Sequence, residues 1–464
     1  MKQPTEEQLA ILEAVRKGNP EIAIQAYAGT GKTSTLELIS KQTTGNVLYV
    51  VYNKAAQEEA KNRLRGATCT TLHGLAYHYS RDLVEGRDLT KKLTPAQWVN
   101  ATGREFGSSD EDYLLAERLR NTIQLFCQSS AKKIAWSHVE GYFYREEKRK
   151  EIADLANKAW ELLTSLSAPV GLPLPHDIYL KRFFLQEYQL PYDLGLFDED
   201  QDLTPATWAF IASQQFQRVT AGDAYQRINS YRGALPPHPS SRPEVTTLPL
   251  TQSWRYGEEI AELAAQVIYN GLDEFIGLKG NPAIKSEFIP RKCKVRLARN
   301  NITLLKEALS LFRKRTPFYF HSSIRAPREH LLRFHKLKTN ARNKKAIEGV
   351  SNWDDALRRA ANQPRSTFAE WVNLIDQTPY EELVNALKFA QRARDNNSIT
   401  LSTVHAAKGL QWPAVSIFDD FTPNVNENRK WYRITEEYRL VYVAITRAMS
   451  RLHLPSTLRK KLSL

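Results

Sequence analysis

The chain has 464 residues, 42% hydrophobic and 25% charged, and its 65 Lys+Arg outweigh 51 Asp+Glu to give a formal charge of +14. This is an ordinary globular composition with room for about three domains, and its basic excess favours polyanionic partners, since each neutralised phosphate releases counterions. Three separated cysteines without a CxxC pair (Cys69, Cys127, Cys293) exclude a disulfide framework or zinc ribbon and suit a reduced, intracellular compartment, while MKQPTEEQLAILEAV is no signal peptide and no run approaches the ~18 apolar residues of a membrane span.

In chain order, short apolar runs alternate with helical patterns. IAIQAY (22–27) reads as a buried strand, and AGTGKTS (28–34) follows it and opens the helical TSTLELISKQ. NVLYVVY (46–52) is the next strand, and AAQEEAKNRL its helix. Residues 81–165, rich in charge and helix formers, read as a mostly helical insertion. LGLF (194–197) and RVTAG (218–222) are further strands, the proline-rich PPHPSSRP (236–243) is a loop, and KVRLA (294–298) is a strand again. Residues 320–398, with the basic patch KLKTNARNKK (336–345), read as a second helical insertion before the strand AVSIF (414–418). Strand–helix alternation argues for parallel α/β sheets. Ligands of such sheets sit beyond the carboxyl ends of the strands, and Lys32, Asn53, Asp198 and Asp223 each follow one.

The first of these strand ends carries phosphate chemistry. From Ala26 to Gly31-Lys32-Thr33 the spacing is that of a P-loop, with Ala26 where the first glycine usually stands. Backbone N–H groups of Ala28, Gly29, Thr30, Gly31 and Ser34 are expected around phosphate oxygens, Lys32 at the β/γ-phosphates and Thr33 on Mg²⁺. A Gly-Thr-Gly segment alone can be an ordinary strand-to-helix turn; the Lys-Thr that follows decides for phosphate. LFDEDQD (196–202) ends an apolar strand in carboxylates. An acidic strand end alone is usually a solvated loop, but beside a P-loop Asp198 is expected to bind Mg²⁺, and Glu199 to orient and deprotonate the attacking water.

Nine short motifs then fall in order: QLAIL with Gln8, AGTGKT, VVYNK, TLHGLAY, FDEDQD, GDAYQRINSYRGA, LTQSWRYG, STVHAAKGLQW and EEYRLVYVAITRA. Across residues 8–448 the chain resembles superfamily 1 helicases of the UvrD/Rep branch. HDIYLK (176–181), LTQSWRYG (250–257) and FDDF (418–421) look most like the helicase part of the F-box DNA helicases. The resemblance implies an α/β fold of two RecA-like parallel-sheet motor domains of the P-loop NTPase kind, each with a mainly helical insertion. Residues 1–80 and 166–249 would form domain 1A with the ATP site, 81–165 insertion 1B, 250–319 and 399–464 domain 2A, and 320–398 a short insertion 2B.

The same resemblance implies the cofactors ATP and Mg²⁺, with Gln8 reading the adenine edge and Trp254 stacking on the ring. Gln226 would touch the γ-phosphate and Asp223 support the metal shell. Arg255 and Arg447, the latter expected on the helix YRLVYVAITRA, would grip the γ-phosphate, a task suited to a permanent charge on a planar donor fork. Gln411 stands where the family has Glu to accept from the ribose, and Asn229 and Ser230 replace a more aromatic pair. Asn53, Lys54, Thr71, His73, Tyr231, Arg232, Thr403 and His405 are implied DNA contacts, with aromatic rings available for base stacking. The implied activity is ATP-driven 3′→5′ stepping on single-stranded DNA and at single-strand/duplex junctions, in repair, recombination or defence. The rival reading is an ATP-dependent DNA-sensing subunit of a larger nuclease or repair complex. A nuclease or recombination factor is the expected protein partner, and no membrane is expected. No F-box segment is expected before Met1, and no fused nuclease after Arg447.

Overall fold

A computed structural model describes the chain apart from residues 1–2, 52, 65, 141–144, 229–243, 322, 340–346, 348–349, 351, 365, 391–396 and 423–430. Tyr231, Arg232, Asn229, Ser230, the loop 236–243 and most of the basic patch 336–345 lie outside the described residues. The chain divides into two compact units, residues 1–26 with 31–250, and residues 27–30 with 251–464.

The first unit is built on strands β1 (Glu21–Ala26), β2 (Val47–Val51), β3 (Ala67–Thr71), β4 (Leu194–Asp198), β5 (Gln217–Gly222) and β6 (Thr246–Leu250). They pair in the order β3-β2-β4-β5-β1-β6, every pairing parallel. Parallel strands are covered on both faces and therefore read as unbroken apolar runs; β2, VLYVV, is buried at all five positions. Alternation splits that run between two cores. Val47, Tyr49 and Val51 pack with Ile11, Leu36 and Ile39, whereas Leu48 and Val50 face the helices of the 81–165 region. Full burial of each such side chain contributes about 1.5–3 kcal/mol.

The helices Asp110–Gln128, Glu146–Thr164 and His176–Leu185 share that second core. Lys181 is buried inside it, with Nζ donating to the carbonyls of Ser129 and Ala131, both at 2.7 Å, above the Phe126 ring. Burial pulls the Lys181 ammonium down to about 8.

Strand β5 separates β1 from β4, so the loop after β5 emerges between the P-loop and the acidic strand end. Gly222 closes β5 because a Cβ there would lie 1.7 Å from Asp200 Oδ1 and 2.6 Å from Gln201 Oε1.

The second unit has strands β7 (Glu287–Phe288), β8 (Val295–Ala298), β9 (Phe318–Phe320), β10 (Ile399–Thr403), β11 (Trp412–Ile417) and β12 (Ala448–His453), paired all-parallel in the order β7-β12-β11-β8-β10-β9. Its helix Asn301–Arg313 starts on Asp420, whose carboxylate accepts from the N–H groups of Arg299 and Asn300, each at 2.9 Å. The helices Arg325–Thr339, Trp353–Asn362, Thr367–Gln377 and Tyr380–Phe389 close a further core around Phe334, Phe368 and Trp371. Among the described residues, no helix is long and apolar enough to cross a membrane.

Candidate active site

The P-loop geometry follows from its glycines. Gly29 and Gly31 take φ of 81° and 90°, a region that side chains disfavour. Gly31 caps the helix Lys32–Gln42 without a side-chain hydrogen bond, which leaves the first-turn N–H groups to an anionic ligand. On this helix Thr33 donates to Asp198 Oδ2 at 2.9 Å. The same oxygen receives the Tyr49 hydroxyl at 3.1 Å, and Oδ1 receives the Glu199 N–H at 2.9 Å.

Burial, then the Glu199 charge, push the Asp198 carboxyl up to about 6, against the pull of Lys32 and Thr33. The Tyr49 phenol is raised above its ordinary range by burial and by Asp198. A hydroxyl and a carboxylate in contact at the mouth of a P-loop form a hard-oxygen pair. Such a pair suits Mg²⁺, which takes its other positions from water and phosphate. Thr33 and Asp198 are therefore the residues that fit the metal.

Glu199 has φ 56° and ψ 46°, the left-handed region, and caps the short 3₁₀ turn Asp200–Asp202. Holding a non-glycine residue there costs on the order of 1–3 kcal/mol, and such strain collects at functional positions. The buried Gln201 spans two parts of the site, since its amide nitrogen donates to Glu199 Oε2 and its oxygen accepts from the Asp223 N–H at 3.0 Å. Asp223 is fully buried, caps the turn Ala224–Gln226, and accepts from Gln226 Nε2 at 2.8 Å. The implied water-activating carboxylate and the implied γ-phosphate sensor are thus joined through Gln201 and Asp223. Gln8 spends its amide locally, accepting from Thr5 N–H at 3.1 Å and donating to Thr35 Oγ1 at 3.0 Å.

Within the second unit, the Ala28 carbonyl accepts from Ser253 Oγ at 3.0 Å and from the Tyr256 hydroxyl at 2.8 Å. The Ala28 N–H donates to the buried Tyr442 hydroxyl at 3.2 Å, and the Trp254 N–H to the Gly29 carbonyl at 2.8 Å. A Cβ on Gly29 would stand 2.7 Å from both Arg255 Cβ and Ser253 Oγ, which leaves only glycine there. Trp254 is 46% exposed. Arg255 Nε donates to Gln411 Oε1 at 2.7 Å and its Nη1 to the Thr446 carbonyl at 3.0 Å, so Gln411 holds an arginine here.

Arg447 departs from expectation. The helix Trp431–Ile445 ends before it, because Arg447 leads into β12 and its carbonyl accepts from Trp412 N–H at 2.9 Å, beside the Trp412–Ala448 pairing of β11 and β12. Its guanidinium is 1% exposed and donates to the Val443 and Leu410 carbonyls and to Thr446 Oγ1.

Three of the implied DNA contacts share one local role. Asn53, Thr71 and Thr403 are N-caps at the starts of Lys54–Arg63, Leu72–Tyr79 and Val404–Ala407, accepting from the N–H groups of Ala56, Gly74 and Ala406. Lys54 opens the first of these helices, and His405 lies in the third. His73 faces Asp177 at 3.8 Å and the ring of His176 edge-on. A cavity of about 500 Å³ joins His73 and Asp177 to Asp198, with Gln128, Asp202 and Thr204 in its wall.

Sequence reading overlooked Tyr49, Gln201, Tyr256 and Tyr442. For Tyr49 a signal existed, namely a hydroxyl inside an otherwise apolar strand, which needs a buried partner.

Residues 182–459, more than half of the chain, match the UvrD-like helicase C-terminal domain family. The chain is similar to F-box DNA helicase protein 1 of Schizosaccharomyces pombe, 27% identical over 515 residues that cover 98% of this chain and 58% of that protein. It is also similar to F-box DNA helicase 1 of Gallus gallus, 28% identical over 506 residues that cover 99% of this chain and 50% of that protein. The chain thus spans little more than half the length of these curated relatives. A solved Arterivirus nonstructural protein 10 (helicase) with DNA matches 97% of this chain and 65% of its own, at 13% identity and a TM-score of 0.34.

Proposed function

The chain belongs to the UvrD-like helicases, and from that premise we propose that it is an ATP-dependent motor that steps 3′→5′ on single-stranded DNA and opens single-strand/duplex junctions. One observation carries the reading: Thr33 at the head of the P-loop helix is hydrogen-bonded to Asp198, with Glu199 next in sequence. The P-loop N–H groups and Lys32 hold the triphosphate, Thr33 and Asp198 hold Mg²⁺, and Glu199 activates water. Arg255 and Arg447 are the arginines that the family resemblance implies for the γ-phosphate, a task suited to a permanent charge on a planar donor fork. In this reading residues 1–80 and 166–249 are motor domain 1A, residues 250–319 and 399–464 are motor domain 2A, and 81–165 and 320–398 are their insertions. Asn53, Lys54, Thr71, His73, Thr403 and His405 are the strand contacts that the family resemblance implies. Strand processing in repair or recombination, beside a recombination factor or nuclease, is the setting this activity serves.

Duplexes with a 3′ or a 5′ single-stranded tail, incubated with purified protein, ATP and Mg²⁺, test the direction. The 3′-tailed substrate should open and the 5′-tailed one stay closed. The reverse preference refutes the polarity, and ATP hydrolysis indifferent to single-stranded DNA refutes the motor.

A further inference from the structure

The carboxylate of Asp198 is held by a residue outside the helicase motifs quoted above. Tyr49 lies in the middle of β2, fully buried among aliphatic side chains, with only its hydroxyl engaged with a charged group. Strand register explains the reach. Tyr49 is opposite Leu196 on β4, and Asp198 lies two residues further on, on the same face of the sheet. Two residues of strand advance about 6.6 Å. The length of a phenol spans that step, whereas a serine or threonine would fall short and a phenylalanine would arrive without a donor.

We propose that Tyr49 is a positioning residue for the metal carboxylate, aiming Asp198 at the Mg²⁺ of the ATP site. The proposal rests on the reading of Thr33 and Asp198 as the metal's protein ligands. Three donors converge on Asp198: Thr33 and Tyr49 on Oδ2, and the Glu199 N–H on Oδ1. Thr33 would hold a cation through an oxygen lone pair and keep its O–H for Asp198. Tyr49 and the Glu199 N–H are the two of these donors that would not themselves bind the metal, and they fix the carboxylate plane from the protein side. Hydrogen-bonded partners of metal ligands set the ligands' orientation, and their loss costs about 10–100-fold in metal affinity or activity.

A merely structural tyrosine, using Asp198 to satisfy its own hydroxyl, would affect melting and leave the metal dependence alone. The test is therefore the affinity for a fluorescent, non-hydrolysable ATP analogue, measured in EDTA and across a Mg²⁺ series, for wild type and Tyr49→Phe. Tyr49→Phe should bind the analogue as wild type does in EDTA, yet need about tenfold more Mg²⁺ for half of the metal-dependent gain. Its ATPase should show the same displaced Mg²⁺ curve, with the loss largely recovered by excess metal. Tyr49→Met, equally without a donor, carries the same expectation and guards against a folding defect in one variant. A folded Tyr49→Phe with the wild-type Mg²⁺ midpoint overturns the proposal while leaving the metal site standing. Wild-type binding that ignores Mg²⁺ overturns the metal site and the proposal together.

Discussion

Asp198, the proposed metal carboxylate, shows how one side chain can be costly to the fold. Its carboxyl, ordinarily near 3.8, is raised to about 6 by burial and by Glu199. The folded protein therefore keeps this proton to higher pH than the unfolded chain does. Its contribution to stability is full below the unfolded value and is lost as pH rises through the folded one, so the charged form burdens the metal-free protein at neutral pH. Asp198→Asn should accordingly raise the melting temperature in EDTA at about pH 7.5 and change it little at about pH 4, while abolishing ATP hydrolysis. Thermal melts at the two pH values check this, and a variant that melts lower at both would show that the carboxylate is not under strain. Mg²⁺ at the proposed site would relieve the burden that the bare carboxylate imposes. Gln411 makes a related point at one remove. Its amide oxygen sits 2.7 Å from Arg255 Nε, so the departure from glutamate leaves a neutral acceptor that still orients the guanidinium.

At the scale of elements, the helices between residues 81 and 185 are tied together by a buried cation. Lys181 satisfies two carbonyls just beyond the helix Asp110–Gln128. Lys181→Met would strip both of their donor, at a cost of about 2–4 kcal/mol. Denaturant unfolding measures it, and a loss under about 0.5 kcal/mol would make the contact incidental. Elements whose burial is continuous were legible in the sequence: IAIQAY, NVLYVVY, LGLF, RVTAG, KVRLA and AVSIF all fall on strands. Others were not. β6, TTLPL, contains a proline and is half exposed along most of its length, and β7 is two exposed residues. β12, AMSRLH, is identifiable through its pairing with β11 and β7 rather than through its sequence pattern. The helical periodicity of RLVYVAITRA runs on through Arg447, but the pull of β12 on the backbone ends the helix at Ile445. Of the residues singled out from short motifs, Lys32, Thr33, Asp198 and Glu199 are brought together by the fold. Tyr49 was not legible in the sequence, because its partner lies 149 residues away and only strand register brings them together.

Across the whole molecule, the two parallel sheets, the basic excess and the P-loop are three independent features that agree on a nucleotide-driven machine handling a polyanion. In the proposed motor, single-stranded DNA governs ATP hydrolysis at the site formed by Lys32, Thr33, Asp198 and Glu199. The most direct test is steady-state ATP hydrolysis by the purified chain with and without single-stranded DNA, wild type beside Glu199→Gln. The account predicts strong stimulation of the wild type by DNA. It predicts for Glu199→Gln a loss of about 10²-fold or more, the share of a general base, with ATP binding retained. A wild-type rate unchanged by DNA, or a Glu199→Gln variant that hydrolyses ATP as wild type does, would contradict it.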